Sequence, residues 1–265
     1  MNQCLEGMMV KMRLENKIAV ISAGASGMGK AGALLFAREG AIVNILDINQ
    51  ENGENVVTEI RKNGGQANFL HIDLTDLSAI KTAIEQIKNQ YGRIDVLWNH
   101  VGIPGPSGIE TVEEEEFDLA MMLNLKSGFF TTKYSIPYMK DLGGSIIFTA
   151  SVSGFVASPF SPVYSAAKGA VVNLVRSLAV RLGNDNIRVN AICPGLTETP
   201  MLKQFLARTE DDDFEQNKQK FLKSIPLHRA AQPTDIANTA LFLASDESAF
   251  ISGVNLPVDG GYTAQ

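Results

Sequence analysis

Tyr164 and Lys168, separated by Ser165-Ala166-Ala167, are the residues whose types and spacing speak most directly of chemistry. Side chains four apart on a helix project from one face, so the ammonium can stand beside the phenol and favour its deprotonated form. An unperturbed tyrosine titrates near ~10, and bringing it to neutrality takes about 4 kcal/mol of preferential phenolate stabilisation. A cation a few ångströms away is a source for that. Ser151 lies one strand-to-helix connection upstream, where its hydroxyl could hold a substrate oxygen beside the phenol. The set reads as a proton-transfer device for an alcohol or ketone. A Tyr-x-x-x-Lys string also arises by chance, so the rest of the chain must support it.

Such a helix needs a frame. Apolar strand-like runs at 18–22, 41–47, 68–73, 94–100, 145–151, 188–193 and 254–258 are nearly continuous in Val, Ile and Leu, as strands covered on both faces should be. Helical stretches at 28–40, 50–63, 77–91, 112–140, 163–183 and 233–244 alternate with them. That order predicts a single-domain doubly wound α/β fold, with about seven parallel strands and helices on both faces. Two segments break the rhythm. Residues 152–162 form a loop carrying Phe155, Val156, Pro159, Phe160 and Pro162. Residues 199–224 read as a lid, with Met201, Leu202, Phe205, Leu206 and Phe221 beside an acidic run at 211–213 that reads as solvated surface. The apolar lid residues either line a pocket or pack the lid onto the body. Glu113 to Glu116 suits a helix's first turn.

The first strand runs into Ser22-Ala23-Gly24-Ala25-Ser26-Gly27-Met28-Gly29 and then a helix. Small residues in that context let backbone N–H groups and a helix N-terminus approach a pyrophosphate. Asp47 ends the second strand, where a carboxylate meets an adenosine ribose, hydrogen-bonds a free 2′-hydroxyl and repels a 2′-phosphate. No arginine or lysine stands in the glycine turn or directly after Asp47, so NAD is expected over NADP.

With these residues in hand, 14–262 resembles the short, single-domain, NAD-preferring branch of the short-chain dehydrogenase/reductases, a Rossmann fold. The family's Thr-Gly-x-x-x-Gly-x-Gly turn corresponds to Ser22 through Gly29, with Ala23 in place of the first glycine, and a Cβ disfavours positive φ there. Asn99-His100-Val101-Gly102 corresponds to the family's Asn-Asn-Ala-Gly, with His100 and Val101 departing; a strand-end histidine is either structural or a group behind the site. The resemblance implies cofactor contacts from Gly24, Ser26, Gly27, Met28, Gly29, Asp47, Ile48, Asp73, Leu74, Asn99, Gly102, Tyr164, Lys168, Pro194, Gly195, Thr197 and Thr199. It implies a catalytic set of Asn124, Ser151, Tyr164 and Lys168, with Asn124 holding a water that links Lys168 to solvent. It also implies a homotetramer, since the broadly apolar 163–183 helix must bury more than one face.

Bulk properties narrow the partners. The chain has 265 residues, 45% hydrophobic and 20% charged, with a net charge of -6. That balance argues against nucleic-acid or anionic-membrane binding, and no apolar run reaches the ~20 residues that span a bilayer. Residues 1–12 read as a flexible N-terminal extension ahead of one domain at 13–265. Cys4 and Cys193 show no metal-ligand spacing and no disulfide framework, so no metal site is expected and the cytoplasm is the default compartment. No charged residue is placed by the sequence to meet a carboxylate or phosphate, so a neutral alcohol or ketone is the expected substrate. The competing readings are a 3-oxoacyl carrier-protein reductase, a non-catalytic NAD-binding sensor and, with no Gly-x-Ser-x-Gly elbow in support, a serine hydrolase.

Overall fold

The computed structural model describes residues 12–158, 161–208 and 212–265. Cys4 and the other residues of 1–11, Pro159, Phe160 and Asp211 lie outside the described residues. Seven parallel strands form one sheet: β1 (Ile18–Ser22), β2 (Ile42–Asp47), β3 (Gln66–His71), β4 (Val96–Asn99), β5 (Gly144–Thr149), β6 (Ile187–Pro194) and β7 (Asn255–Val258). Their spatial order is β3-β2-β1-β4-β5-β6-β7. The chain winds outward from β1 to β3, then returns to place β4 on the other side of β1. The carboxyl ends of β1 and β4 therefore flank a topological switch point, where ligands of such sheets bind.

Helices cover both faces. On one side α1 (Gly27–Arg38), α2 (Gln50–Lys62) and α9 (Pro233–Ala244) pack with Phe36, Ile45, Trp98 and Leu241 at the centre. On the other, α3 (Leu77–Tyr91), α5 (Ser127–Ser135) and α6 (Pro162–Leu182) meet Ile84, Leu97, Ile146 and Val175. The strands carry apolar side chains on both faces because both are buried, which is why they read as continuous runs.

Two elements differ from the sequence expectation. The stretch read as one helix over 112–140 is α4 (Glu114–Met121), a π-helical turn over Met122–Lys126, then α5. The stretch 199–224, read as a lid, is not a loop: it holds α7 (Leu202–Leu206) and α8 (Phe214–Lys223). Asp213, read as solvated surface, starts α8 by accepting the Gln216 N–H at 3.0 Å. Leu202, Leu206 and Ile225 are buried in a small core of their own, against which Phe221 packs while stacking on Tyr262. So Leu202, Leu206 and Phe221 pack this segment itself, while Phe205 meets the Tyr164 ring edge-on.

Candidate active site

Every residue expected to act or to hold a cofactor sits at or just beyond the carboxyl ends of β1 to β6, or on the segments that leave them. At β1, the glycine turn leads into α1. Ser26 caps that helix without a side-chain hydrogen bond, and no acidic residue occupies the first turn. The N–H groups of Gly27, Met28 and Gly29 are thus left for an external acceptor, which fits a pyrophosphate. Ala23 has φ of 54°, the left-handed value that its Cβ disfavours. Thr199 lies over the turn, 3.4 Å from where a Cβ on Gly27 would stand.

Asp47, at the end of β2, is buried and works inside the chain: it accepts the Ala25 N–H at 3.0 Å and the Asn49 N–H at 2.9 Å. Each oxygen keeps a second lone pair, so the carboxylate fixes the glycine turn and still fits a ribose hydroxyl. Ile48 beside it is exposed, as is Asp73, whose carboxylate accepts from the N–H and hydroxyl of Thr75; Leu74 is buried. Asn99, ending β4, donates to Thr132 Oγ1 at 2.9 Å, so its side chain turns towards α5, and its Oδ1 is buried without a partner. Ser22 Oγ accepts the His100 N–H at 2.9 Å and joins the ends of β1 and β4 across the switch point. Beyond β6, the Gly195 N–H donates to Val258 O and Thr197 pairs with Ala231.

The reacting groups come from three elements. Ser151 follows β5; its Oγ accepts the Ser153 N–H at 3.1 Å, which holds the hydroxyl at the mouth of the following turn. Tyr164 and Lys168 stand one turn apart on α6. Lys168 is buried, its Nζ 5.6 Å from the Tyr164 ring centroid, and it donates to the carbonyl of Thr149 at 2.9 Å. Burial lowers the ammonium's pKa to about 8. The phenol is pushed up to about 12 by burial, against the pull of its hydrogen bond with Ser151 and the positive charge of Arg208. A phenol so placed is protonated at neutral pH, so burial outweighs the phenolate stabilisation expected from the Tyr–Lys spacing. Cys193 lies close enough for its thiol, raised to about 12 by burial, to feel both Lys168 and Ser151.

Asn124 sits in the π-helical turn and is buried. It donates to the carbonyls of Ile103 at 2.9 Å and Ala120 at 3.0 Å, and its Oδ1 accepts the Ile103 N–H at 3.2 Å. The wide turn and the loop after β4 are therefore tied by one amide. Gly102 lets that loop come close: a Cβ there would lie 2.7 Å from Asn124 Oδ1 and 3.1 Å from Lys168 Nζ.

Two residues, Thr149 and Arg208, were not legible as site residues. Thr149 is a junction: its carbonyl holds Lys168, while its hydroxyl accepts from Trp98 Nε1 at 2.9 Å and meets His100 Nδ1 at 2.9 Å. His100 thus lies behind the site, its ring kept neutral by burial and by the Lys168 charge, with a pKa of about 3. Arg208 is the second of the two. The sequence places no charge against the substrate, yet the fold brings this guanidinium near Tyr164, over the edge-packed Phe205. Among the described residues no cluster of His, Cys, Asp and Glu could hold a metal, and no helix is long and apolar enough to cross a membrane.

Comparison with known proteins agrees with this geometry. A family model described as enoyl-(acyl carrier protein) reductase matches residues 22–263. The cyclopentanol dehydrogenase of Comamonas sp. (strain NCIMB 9872) is 40% identical over 95% of this chain and 99% of its own. The 3-oxoacyl-[acyl-carrier-protein] reductase of Thermotoga maritima is 39% identical over 94% and 99%. The carveol dehydrogenase of Mycobacterium avium, solved in complex with NAD, superposes with a TM-score of 0.89 at 29% identity, over 96% of this chain and 99% of that one. A glycine turn at the switch point, a serine after β5 and a Tyr–Lys pair on α6, matched along nearly the whole chain, have one explanation: this chain belongs to the short-chain dehydrogenase/reductase family.

Proposed function

We propose that this chain oxidises a secondary alcohol, and reduces the matching ketone, with NAD as the hydride partner. The observation that carries the reading is the convergence of Ser151, Tyr164 and Lys168 at the carboxyl end of the sheet, beside an uncapped helix N-terminus. A bound nicotinamide dinucleotide supplies the hydride acceptor in oxidation and the donor in reduction. The N–H groups of Gly27, Met28 and Gly29 would hold its pyrophosphate, with Gly24 and Ser26 shaping the turn. Asp47, with Ile48, Asp73 and Leu74, would take the adenosine end; a 2′-phosphate would meet the Asp47 carboxylate, which favours NAD over NADP. Asn99, Gly102, Pro194, Gly195, Thr197 and Thr199 would border the nicotinamide end.

In oxidation the substrate hydroxyl gives its proton to Tyr164 Oη as its carbon gives up hydride; in reduction the same oxygen returns the proton to the forming alkoxide. Ser151 orients the substrate oxygen and stabilises charge growing on it. Lys168 holds positive charge behind the phenol, and Asn124 would hold the water that links Lys168 to solvent. Residues 199–224 serve as the lid. The remaining part of the reading is a cytoplasmic homotetramer. The substrate read from the sequence is a neutral alcohol or ketone, and Arg208 sets near Tyr164 a charge which that reading did not include.

The test is NADH formation with NAD and a panel of cyclic, aliphatic and polyol alcohols, beside Tyr164→Phe. Turnover of a panel member, reduced at least about 100-fold in the variant, is the expected result. Reduction of 3-oxoacyl carrier-protein substrates with no alcohol oxidised would favour the second reading, which the Thermotoga relative supports. NAD binding without any turnover would favour a sensor.

A further inference from the structure

Arg208 is a charge with an unfinished contact. Its Nη1 donates to the carbonyl of Gly105 at 3.4 Å, and its main-chain N–H donates to Asp212 Oδ2 at 2.8 Å. Its Nε and Nη2 are buried and have no hydrogen-bond partner. These two nitrogens share one edge of the guanidinium, the edge whose parallel N–H groups match the two oxygens of a carboxylate. Leaving charged donors buried and unpaired is costly unless a ligand completes them.

Position gives the edge its meaning. The guanidinium carbon is 5.7 Å from the Phe205 ring, and that ring meets Tyr164 edge-on with centroids 5.4 Å apart. Gly105 belongs to the loop that Asn124 ties down at Ile103. The arginine therefore reaches across to the β4 loop, on the side of Phe205 and the phenol. Asp212 is the nearby counter-charge, and the carboxylate oxygen given above is engaged by backbone rather than by the guanidinium edge.

We infer that Arg208 binds a carboxylate of the substrate, so that the alcohol or ketone turned over is a hydroxy or oxo acid. This rests on the dehydrogenase reading above and adds the substrate's class to it. Nε and Nη2 grip the acid group in parallel while the carbon to be oxidised or reduced faces Tyr164. Substrate binding then completes the lid's buried charge, and neutral alcohols leave it unpaired.

The test compares reduction of acetoacetate, 4-oxopentanoate and 5-oxohexanoate with that of their methyl esters, using NADH, in the full chain and in Arg208→Met. Methionine keeps an apolar stem against Phe205. The expected result is preference for at least one acid over its ester by about 10- to 100-fold in kcat/KM, as a charged bidentate contact implies. In Arg208→Met that preference disappears because the acids lose far more than the esters, with NADH affinity, read by fluorescence, unchanged. Esters and acids reduced equally well, or both weakened alike in the variant, would overturn the inference and leave the dehydrogenase reading standing. If nothing is reduced, quenching of bound NADH fluorescence by the acids but not the esters, lost in Arg208→Met, would uphold the carboxylate site and remove the reaction. Neither turnover nor binding of any acid would overturn the inference.

Discussion

Ala23 pays a conformational cost inside the cofactor turn, since an L-residue at φ of 54° carries about 1–2 kcal/mol of strain. Ala23→Gly should relieve it; after the larger unfolded-state entropy of glycine, a net gain of about 0.5–1 kcal/mol is expected in urea unfolding. His100 works in the opposite sense. Its folded pKa, about 3, lies below the usual 6.5, so between those values the unfolded chain binds more protons and stability falls with falling pH. The loss from pH 7.5 to pH 5 is about 2 kcal/mol, and His100→Asn should lessen the acid sensitivity of unfolding by that amount. Tyr164 has a raised pKa, so its neutral form dominates at pH 7. Alcohol oxidation, which needs the base, should speed up with rising pH; ketone reduction, which needs the acid, should hold level and fall only in strong alkali, as pH profiles of kcat/KM in both directions would show. The Tyr–Lys pair and Ser151 were legible because four-residue and loop-length spacings are local. Arg208 and Thr149 were not: a lid arginine and a strand-end threonine acquire their roles from partners 44 and 19 residues away in sequence, at Tyr164 and Lys168.

At the scale of elements, β1, α3 and α9 coincide with their expected bounds, while the stretches that bear most on the site departed from the simple pattern. Hydrophobic period alone cannot reveal the π-helical turn in 112–140, because one extra residue in a turn shifts the apolar face without ending the helix. That turn lets Asn124 reach both Ala120 and Ile103. The lid helices were hidden by their brevity and by an apolar face that serves a separate small core. The register of α1 on the sheet depends on one close approach. A Cβ on Gly32 would fall 2.1 Å from Trp98 Cζ3, and Trp98 is wholly buried. Gly32→Ala should therefore force α1 away from β4 and cost about 1–3 kcal/mol, despite alanine's better helix propensity. Since Trp98 also donates to Thr149, whose carbonyl holds Lys168, the variant should lose activity as well as urea resistance. Lost stability with unchanged kcat would show that the strand-end junction does not position the lysine.

For the whole molecule, the sheet order follows from the alternation of strands and helices, but what a sequence cannot display is which apolar residues the finished fold leaves outside. Phe117, Leu119 and Phe129 are exposed on α4 and α5. Val180 on α6 is 85% exposed and Phe250, ahead of the edge strand β7, fully so. Ala179 lies against the turn at Gly253, which makes the end of α6 and the approach to β7 one surface. Two separate apolar surfaces, if each mates with itself about a two-fold axis, would generate the closed assembly of four chains proposed above. Unpaired strand edges such as that of β7 also call for cover. Light scattering should then give about four times the 28.6 kDa chain mass. Phe129→Glu and Phe250→Glu should each halve the assembly, and the double variant should leave single chains, because a buried unpaired carboxylate is costly at either surface. A wild-type chain that runs as a monomer at micromolar concentration, or a Phe250→Glu variant that remains a tetramer, would remove the β7-side surface from the assembly and leave its apolar exposure to another purpose.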